Sequence, residues 1–258
     1  MHICIFYLRP YTKYFIILLL VIALLIGIGA FSPRIATVWS QSRGRDIPIY
    51  SVECNGKKAS ITFDCAWGAE DIPKILDILK NENVKATFFI VGQWAEKFPE
   101  KVKMIANDGH DIGNHSYSHL RMGALDREKI KSEISLGGTK LSTISGRKVE
   151  LFRPPYGDYS NNVVSVARSL GYYTIQWNVD SLDWKPGISR DYILSRVVTG
   201  IKPGSIILFH NDTPHTVAIL PDIIKSLKKG GYEFLPVSQL IIRDNYEIDF
   251  EGRQRRKE

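Results

Sequence analysis

The chain has 258 residues, of which 44% are hydrophobic and 24% charged, with a formal net charge of +7. These values exclude a disordered or low-complexity protein and supply enough apolar residues for a substantial core. The basic excess does not indicate a nucleic-acid binder. Part of it flanks an apolar run and part lies in Arg253-Gln254-Arg255-Arg256-Lys257, with no aromatic-interleaved basic stripe, so this end reads as a solvated tail.

Residues 14–31 are uncharged and almost continuously apolar, about the length of a bilayer-spanning helix. The run exceeds the roughly 7–15 residues of a signal-peptide core, and Gly27-Ile28-Gly29-Ala30 is a poor cleavage site. The expected organisation is a short cytoplasmic segment (1–13), a transmembrane anchor or uncleaved signal (14–31), a linker (32–46), one catalytic-size domain (47–240) and a charged tail (241–258). Arg9 and Lys13 before the run are balanced by Arg34, Arg43 and Arg45 after it, so the positive-inside rule does not settle orientation. The expected location is the cell membrane, single-pass, with the domain outside the cytoplasm; the alternative is secretion after cleavage.

Residues 50–54 and 58–64 read as two strands joined by Asn55-Gly56, a two-residue hairpin signal. In that register Cys54 and Cys65 lie on the order of 25 Å apart, too far for a disulfide. A helix follows over 73–80, with Asp71 placed to cap it, and then a strand over 86–91. The pattern continues with a helix at 97–108, an extended piece at 111–113, a helix at 126–142 carrying Ile130, Ile134 and Leu141 inward, and a strand at 151–152. Ser160 and Ser189 open two more helices, separated by a strand at 173–177 and followed by strand 205–209, helix 217–229 and a last extended piece, 233–235. About seven strand–helix alternations predict an α/β fold with a mainly parallel sheet wrapped by helices, open or closed into a barrel.

In such folds, side chains just beyond the carboxyl ends of the strands converge on one mouth. Asp64, Arg153, Asp180, Asp183 and His210 all occupy such positions, and His115 and His119 follow the 111–113 strand. At their spacing the two histidines fall on one face of a helical turn, so that both imidazoles reach one cation.

Five ordered motifs now stand out: Thr62-Phe63-Asp64-Cys65, His115-Ser116-Tyr117-Ser118-His119, Arg153-Pro154-Pro155-Tyr156-Gly157, Asp180-Ser181-Leu182-Asp183-Trp184 and Ile207-Leu208-Phe209-His210. Together, over residues 58–240, they resemble the polysaccharide deacetylases of carbohydrate esterase family four, the NodB-homology enzymes. Asp64-Cys65-Ala66-Trp67-Gly68 is similar to the sporulation-associated branch. The resemblance implies a distorted (β/α) barrel of about seven parallel strands. It also implies metal-dependent removal of N-acetyl groups from an N-acetylated envelope glycan, peptidoglycan before chitin. A divalent metal, usually zinc, would be held by His115 and His119. Asp64 would be the general base, tuned by Arg153, and His210 the general acid, adjusted by Asp183. The backbone N–H of Tyr156 would face the oxyanion, and Trp184 would pack against the acid pair.

The departure from the family pattern is Cys65, where its members carry a second aspartate that completes the metal triad. Three accounts are open: the thiolate ligates zinc, the two histidines hold metal weakly with water, or the site is empty and the protein is a catalytically silent, membrane-tethered glycan binder. Blander roles are expected for His110 (structural), His215 (helix start), and Ser116 and Ser118 (turn caps). Asp180 reads equally as a partner of the site or a turn residue, and Trp67, Trp94 and Trp177 as sugar platforms or core.

Overall fold

The computed structural model describes residues 44–257 and, before them, Ile17. Apart from Ile17, the expected anchor over 14–31 and the linker up to residue 43 fall outside the described residues, among which no helix is long and apolar enough to cross a membrane. In chain order the elements are β1 (Ser51–Val52), β2 (Lys58–Cys65), α1 (Ile72–Asn81), β3 (Thr87–Ile90), α2 (Gly92–Lys97), α3 (Pro99–Asn107) and β4 (Asp111–Asn114). They continue with α4 (Arg127–Ser145), β5 (Leu151–Phe152), α5 (Asn161–Ser169), β6 (Tyr173–Thr174), β7 (Val179–Asp180), α6 (Arg190–Gly200) and β8 (Ser205–His210). The last are α7 (Thr216–Lys229), β9 (Glu233–Phe234), α8 (Val237–Leu240), β10 (Tyr246–Ile248) and β11 (Arg253–Arg256).

The strands form one curled sheet in the order β10-β11-β1-β8-β2-β3-β4-β5-β6, with β7 added against β8 and β9 against β2. The pairs of β2 with β3, β8 and β9 are parallel, as are the steps from β3 to β6 and the β7–β8 pair. An isolated parallel bridge between Ile49 and Ile175 draws the β6 edge back towards β1. The result is the expected α/β class with a distorted barrel of parallel strands.

Strand β2 shows how the layers separate. Ala59, Ile61, Phe63 and Cys65 pack into the apolar cluster shared with the helices. The alternate residues Ser60, Thr62 and Asp64 are buried and polar, and they point to the other face because successive side chains in a strand alternate. Their polar groups are satisfied: the Ser60 hydroxyl donates to Leu235 O at 2.7 Å and that of Thr62 to Ile207 O at 2.7 Å. A barrel interior lined by hydroxyls and a carboxylate thus lies behind a helix-facing apolar layer.

The expected hairpin between 50–54 and 58–64 does not form, because β8 lies between β1 and β2. Gly204 is the wedge: its N–H donates to Lys58 O at 2.7 Å and its carbonyl accepts from Val52 N at 2.9 Å. A Cβ at Gly204 would sit 1.5 Å from Val52 O, so only glycine permits this approach. Cys54 and Cys65 are both free.

Three further expectations change. The helix expected over 97–108 is α3, which starts at Pro99, and a helix not expected from the sequence, α2, precedes it; Phe98 (φ −130°, ψ 55°) leaves the helical region between them, as the residue before a proline tends to. Asp71 stands at the N-cap of α1 without capping it, since its Oδ2 accepts from Asp212 N at 2.7 Å. Finally, the presumed solvated tail is a hairpin. β10 and β11 pair antiparallel, β11 joins β1 in parallel, and Gln254 is fully buried with its side chain bonded to Ile242 N and O.

Candidate active site

Asp64 and His210 are register partners at the carboxyl ends of the adjacent strands β2 and β8. Asp64 Oδ1 accepts from Arg153 Nη1 at 2.7 Å. Arg153 is fully buried immediately after β5, where its guanidinium also donates to Thr62 Oγ1 at 2.9 Å and Gln176 O at 3.1 Å and lies 4.0 Å from the Phe89 ring centroid. Burial by itself would raise the Asp64 carboxyl, but Arg153, His115 and His210 together bring it below the ordinary aspartate range. The carboxylate is therefore charged at neutral pH, and its Oδ2 is not bonded to Arg153.

The imidazole of His210 is oriented by Asp183, whose Oδ1 lies 2.9 Å from Nδ1 and whose Oδ2 accepts from His210 N at 2.8 Å. Thr216 Oγ1 donates to the same Oδ2 at 2.5 Å. Burial opposes charge on His210, yet the hydrogen bond and charge of Asp183 win and raise its pKa above 6.5.

His115 and His119 are brought together, with ring centroids 5.1 Å apart, although not by a helical turn. Residues 115–119 form a loop in which Ser116 (φ 66°) and His119 (φ 59°) take left-handed conformations, which non-glycine residues hold only when their surroundings fix them. The fixing groups are visible. Ser116 Oγ accepts from His119 N at 3.0 Å. Glu133 of α4, almost fully buried, accepts from Tyr117 N at 3.2 Å, Ser118 N at 2.8 Å and Ser118 Oγ at 2.7 Å. His115 Nδ1 bonds to Arg153 O at 2.7 Å, which leaves Nε2 3.5 Å from Asp64 Oδ2. Burial lowers the pKa of both imidazoles, that of His119 to about 4, so both are neutral near pH 7.

The residues present do not fit a three-donor zinc site. Cys65 follows Asp64 on the strand and so faces the other way, into the apolar core, fully buried; burial pushes its thiol well above 9. Among the described residues no group of three or more His, Cys, Asp or Glu side chains is placed to hold a metal ion. The reading of Cys65 as a ligand is corrected accordingly. Cys65→Ser is expected to leave zinc stoichiometry and affinity unchanged while lowering unfolding stability by about 1–3 kcal/mol, the cost of a buried hydroxyl. Equilibrium dialysis with zinc and urea unfolding measure the two, and a loss of bound zinc would contradict the core placement.

Asp64, His115, His119 and His210 open on one cavity of about 470 Å³, whose rim carries Trp67, Arg121, Tyr156, Trp177, Asp180 and Trp184. Trp67, Tyr156 and Trp184 are 64%, 51% and 53% exposed, as platforms for a ligand rather than core residues are. Trp67 meets the His119 ring edge-on at 5.6 Å, and its loop is tied down by Gly68 N donating to Asp212 Oδ2 at 2.9 Å. Trp94, by contrast, is core, its Nε1 donating to Gly68 O at 3.0 Å. Tyr156 takes φ 60° and ψ 11°, and its ring lies 4.6 Å from that of His119. Asp180 lines the cavity and caps its own turn, accepting from Leu182 N at 2.9 Å; burial raises its pKa. His110 is structural: its Nδ1 accepts from Ala86 N at 3.1 Å, and burial lowers its pKa to about 4. His215 stands at the start of α7.

Sequence reasoning passed over Glu133, Thr216 and Arg121. Glu133 left a trace, a carboxylate on the inward stripe between Ile130 and Ile134. Thr216 and Arg121 left none, because only the fold brings them to Asp183 and to the cavity mouth.

The sequence pattern of polysaccharide deacetylases matches residues 51–175. A peptidoglycan-N-acetylglucosamine deacetylase of Bacillus cereus is 40% identical over 74% of this chain and 70% of its own length. The peptidoglycan-N-acetylmuramic acid deacetylase PdaA of Bacillus subtilis is 32% identical over 74% of each. Among solved structures, a CE4 family pseudoenzyme from Bacillus anthracis superposes with a TM-score of 0.73 at 34% identity, covering 81% of this chain and 73% of that one. With its motif residues gathered at one mouth and relatives this similar over most of their length, the chain belongs to the polysaccharide deacetylase family, CE4.

Proposed function

We propose that the chain hydrolyses N-acetyl groups from an N-acetylated cell-envelope polysaccharide, with peptidoglycan as the polymer, releasing acetate. The observation that carries this reading is the pairing of Asp64 and His210 on adjacent strand ends, each with its own buried counter-ion and both open to one cavity. Asp64 takes a proton from the water that attacks the acetamide carbonyl, and His210 returns one to the nitrogen as the C–N bond breaks. Arg153 favours the ionised base, and Asp183 raises the pKa of the acid and aims its ring. The backbone N–H of Tyr156 is assigned to the oxyanion, and Trp67 and Trp184 to the sugar rings.

Peptidoglycan is favoured because relatives from Bacillus act on it and because the apolar run 14–31 suits a single-pass anchor that holds the domain outside the cytoplasm, where that polymer lies. A second reading, a silent tethered glycan binder, is favoured by the incomplete metal donor set and by the pseudoenzyme relative. Acetate release separates the two. The full chain in detergent, given peptidoglycan and N-acetylglucosamine oligomers with and without added zinc, is expected to release acetate. Glycan binding with no acetate under any of these conditions leaves the silent reading.

A further inference from the structure

The mouth of the cavity carries one cationic side chain that the hydrolytic scheme does not use. Arg121 lies two residues beyond His119, and its guanidinium carbon stands 4.6 Å from the centroid of the Tyr156 ring, itself 4.6 Å from the ring of His119. The three groups form a row of contacts, with the two rings tilted at 48° to each other, that runs from a site imidazole to a cation at the rim.

Both loops that build this row are fixed. Next to Arg121, Met122 is fully buried, and Gly123 N donates to Asp158 Oδ2 at 2.9 Å. Asp158 follows the short turn that carries Tyr156. A Cβ at Gly123 would fall 2.6 Å from the Asp158 carboxylate, so the two loops touch here. The hydrogen bond therefore sets the distance between Arg121 and Tyr156.

Among the described residues the Arg121 guanidinium forms no ion pair, its one contact of this kind being the tyrosine face. Of the two carboxylates lining the cavity, Asp64 is held by Arg153 and Asp180 caps Leu182 N. A guanidinium over a ring face satisfies none of its N–H donors with a carboxylate there, and their fork matches one.

We propose that Arg121 is an anion receptor that selects an N-acetylated glycan bearing a carboxylate close to the acetamide to be cleaved. This deepens the reading of the cavity as a deacetylase site and rests on it. Two chemistries place a carboxylate there: the lactyl ether of muramic acid, on the ring carbon next to the acetamide, or a uronic acid as the neighbouring sugar.

Equilibrium binding tests the proposal without depending on turnover. The full chain in nonionic detergent is titrated with four probes: a peptide-free peptidoglycan oligosaccharide with its lactyl carboxylate free, the same oligosaccharide amidated, an N-acetylglucosamine oligomer, and an N-acetylglucosamine–glucuronate oligomer. At least one carboxylate-bearing probe is expected to bind roughly tenfold more tightly than its uncharged counterpart, the scale of a charge-assisted bidentate contact. The lactyl or the uronate probe then identifies the source. In Arg121→Gln that ratio falls to about one, and Arg121→Lys, which keeps the charge and loses the planar fork, retains part of it. A wild-type ratio near one for both pairs, or a ratio unchanged in Arg121→Gln, overturns the proposal. Preferential binding without acetate release would count against the hydrolase reading and leave the receptor standing.

Discussion

Arg153→Met is expected to destabilise the folded protein by about 3–5 kcal/mol at neutral pH, the scale for removing one partner of a buried ion pair. The guanidinium is fully buried, and its loss takes the donor from Asp64 Oδ1 and Gln176 O and leaves Thr62 Oγ1 only its bond to Ile207 O. The pH dependence follows from the charge. In the wild type the Asp64 carboxyl is held below its ordinary range, so this pair adds stability above the unfolded aspartate pKa and loses it as pH falls through the folded value. Without Arg153 only burial and weaker neighbours act, the pKa rises, and a lone carboxylate is charged at a cost near pH 7 but takes up a proton near pH 4. Urea unfolding at the two pH values should show the larger deficit at neutral pH. Adding Asp64→Asn to Arg153→Met should recover part of the loss, because it removes the stranded charge. A deficit independent of pH would mean that Arg153 acts through packing against Phe89 alone.

The second large effect concerns the acid. His210→Ala is expected to lower kcat for acetate release by about 10²–10⁴-fold, the usual contribution of a positioned general acid. Asp183→Asn is more informative, since it keeps the imidazole and removes the carboxylate that raises its pKa above 6.5. The alkaline limb of the rate profile should move to lower pH in this variant. Stability is linked in the same sense: a raised histidine pKa adds stability that is complete below the unfolded value and disappears as pH rises through the folded one. Asp183→Asn should accordingly lose more stability near pH 5 than near pH 9, measured by thermal unfolding. An alkaline limb that stays in place would remove His210 from the proton transfer.

Much of this was legible in the sequence, and the exceptions have physical causes. The strand–helix alternation was read correctly because helices and strands here carry clean apolar periods, and the strand-end positions of Asp64, Arg153, Asp183 and His210 followed from it. The hairpin at Asn55-Gly56 was misread because a local turn signal says nothing about insertion by a distant strand; the wedge at Gly204 is a contact of long sequence separation. The two histidines do come together, but on a loop rather than the expected helical turn, since left-handed Ser116 and His119 flank residues that Glu133 holds from another element.

Cys65 is the instructive case. The alternation in Lys58-Ala59-Ser60-Ile61-Thr62-Phe63-Asp64-Cys65 already placed the cysteine with Ala59, Ile61 and Phe63, on the face away from Asp64. Matching position to position across the family motif hid that signal, because the motif compares residue types and not the directions in which they point. Arg255 and its neighbours were misjudged for a related reason: charge suggested a solvated tail, while the buried Gln254 between them pairs the strand to the sheet.

The proposed acid–base pair of Asp64 and His210 stands beside a histidine pair that has no third donor side chain among the described residues. The most direct test is the rate of acetate release from peptidoglycan by the full chain, measured beside Asp64→Asn. Acetate from the wild type, reduced by at least about 10²-fold in Asp64→Asn, is the expected result. No acetate from the wild type, or equal release from both proteins, would contradict it.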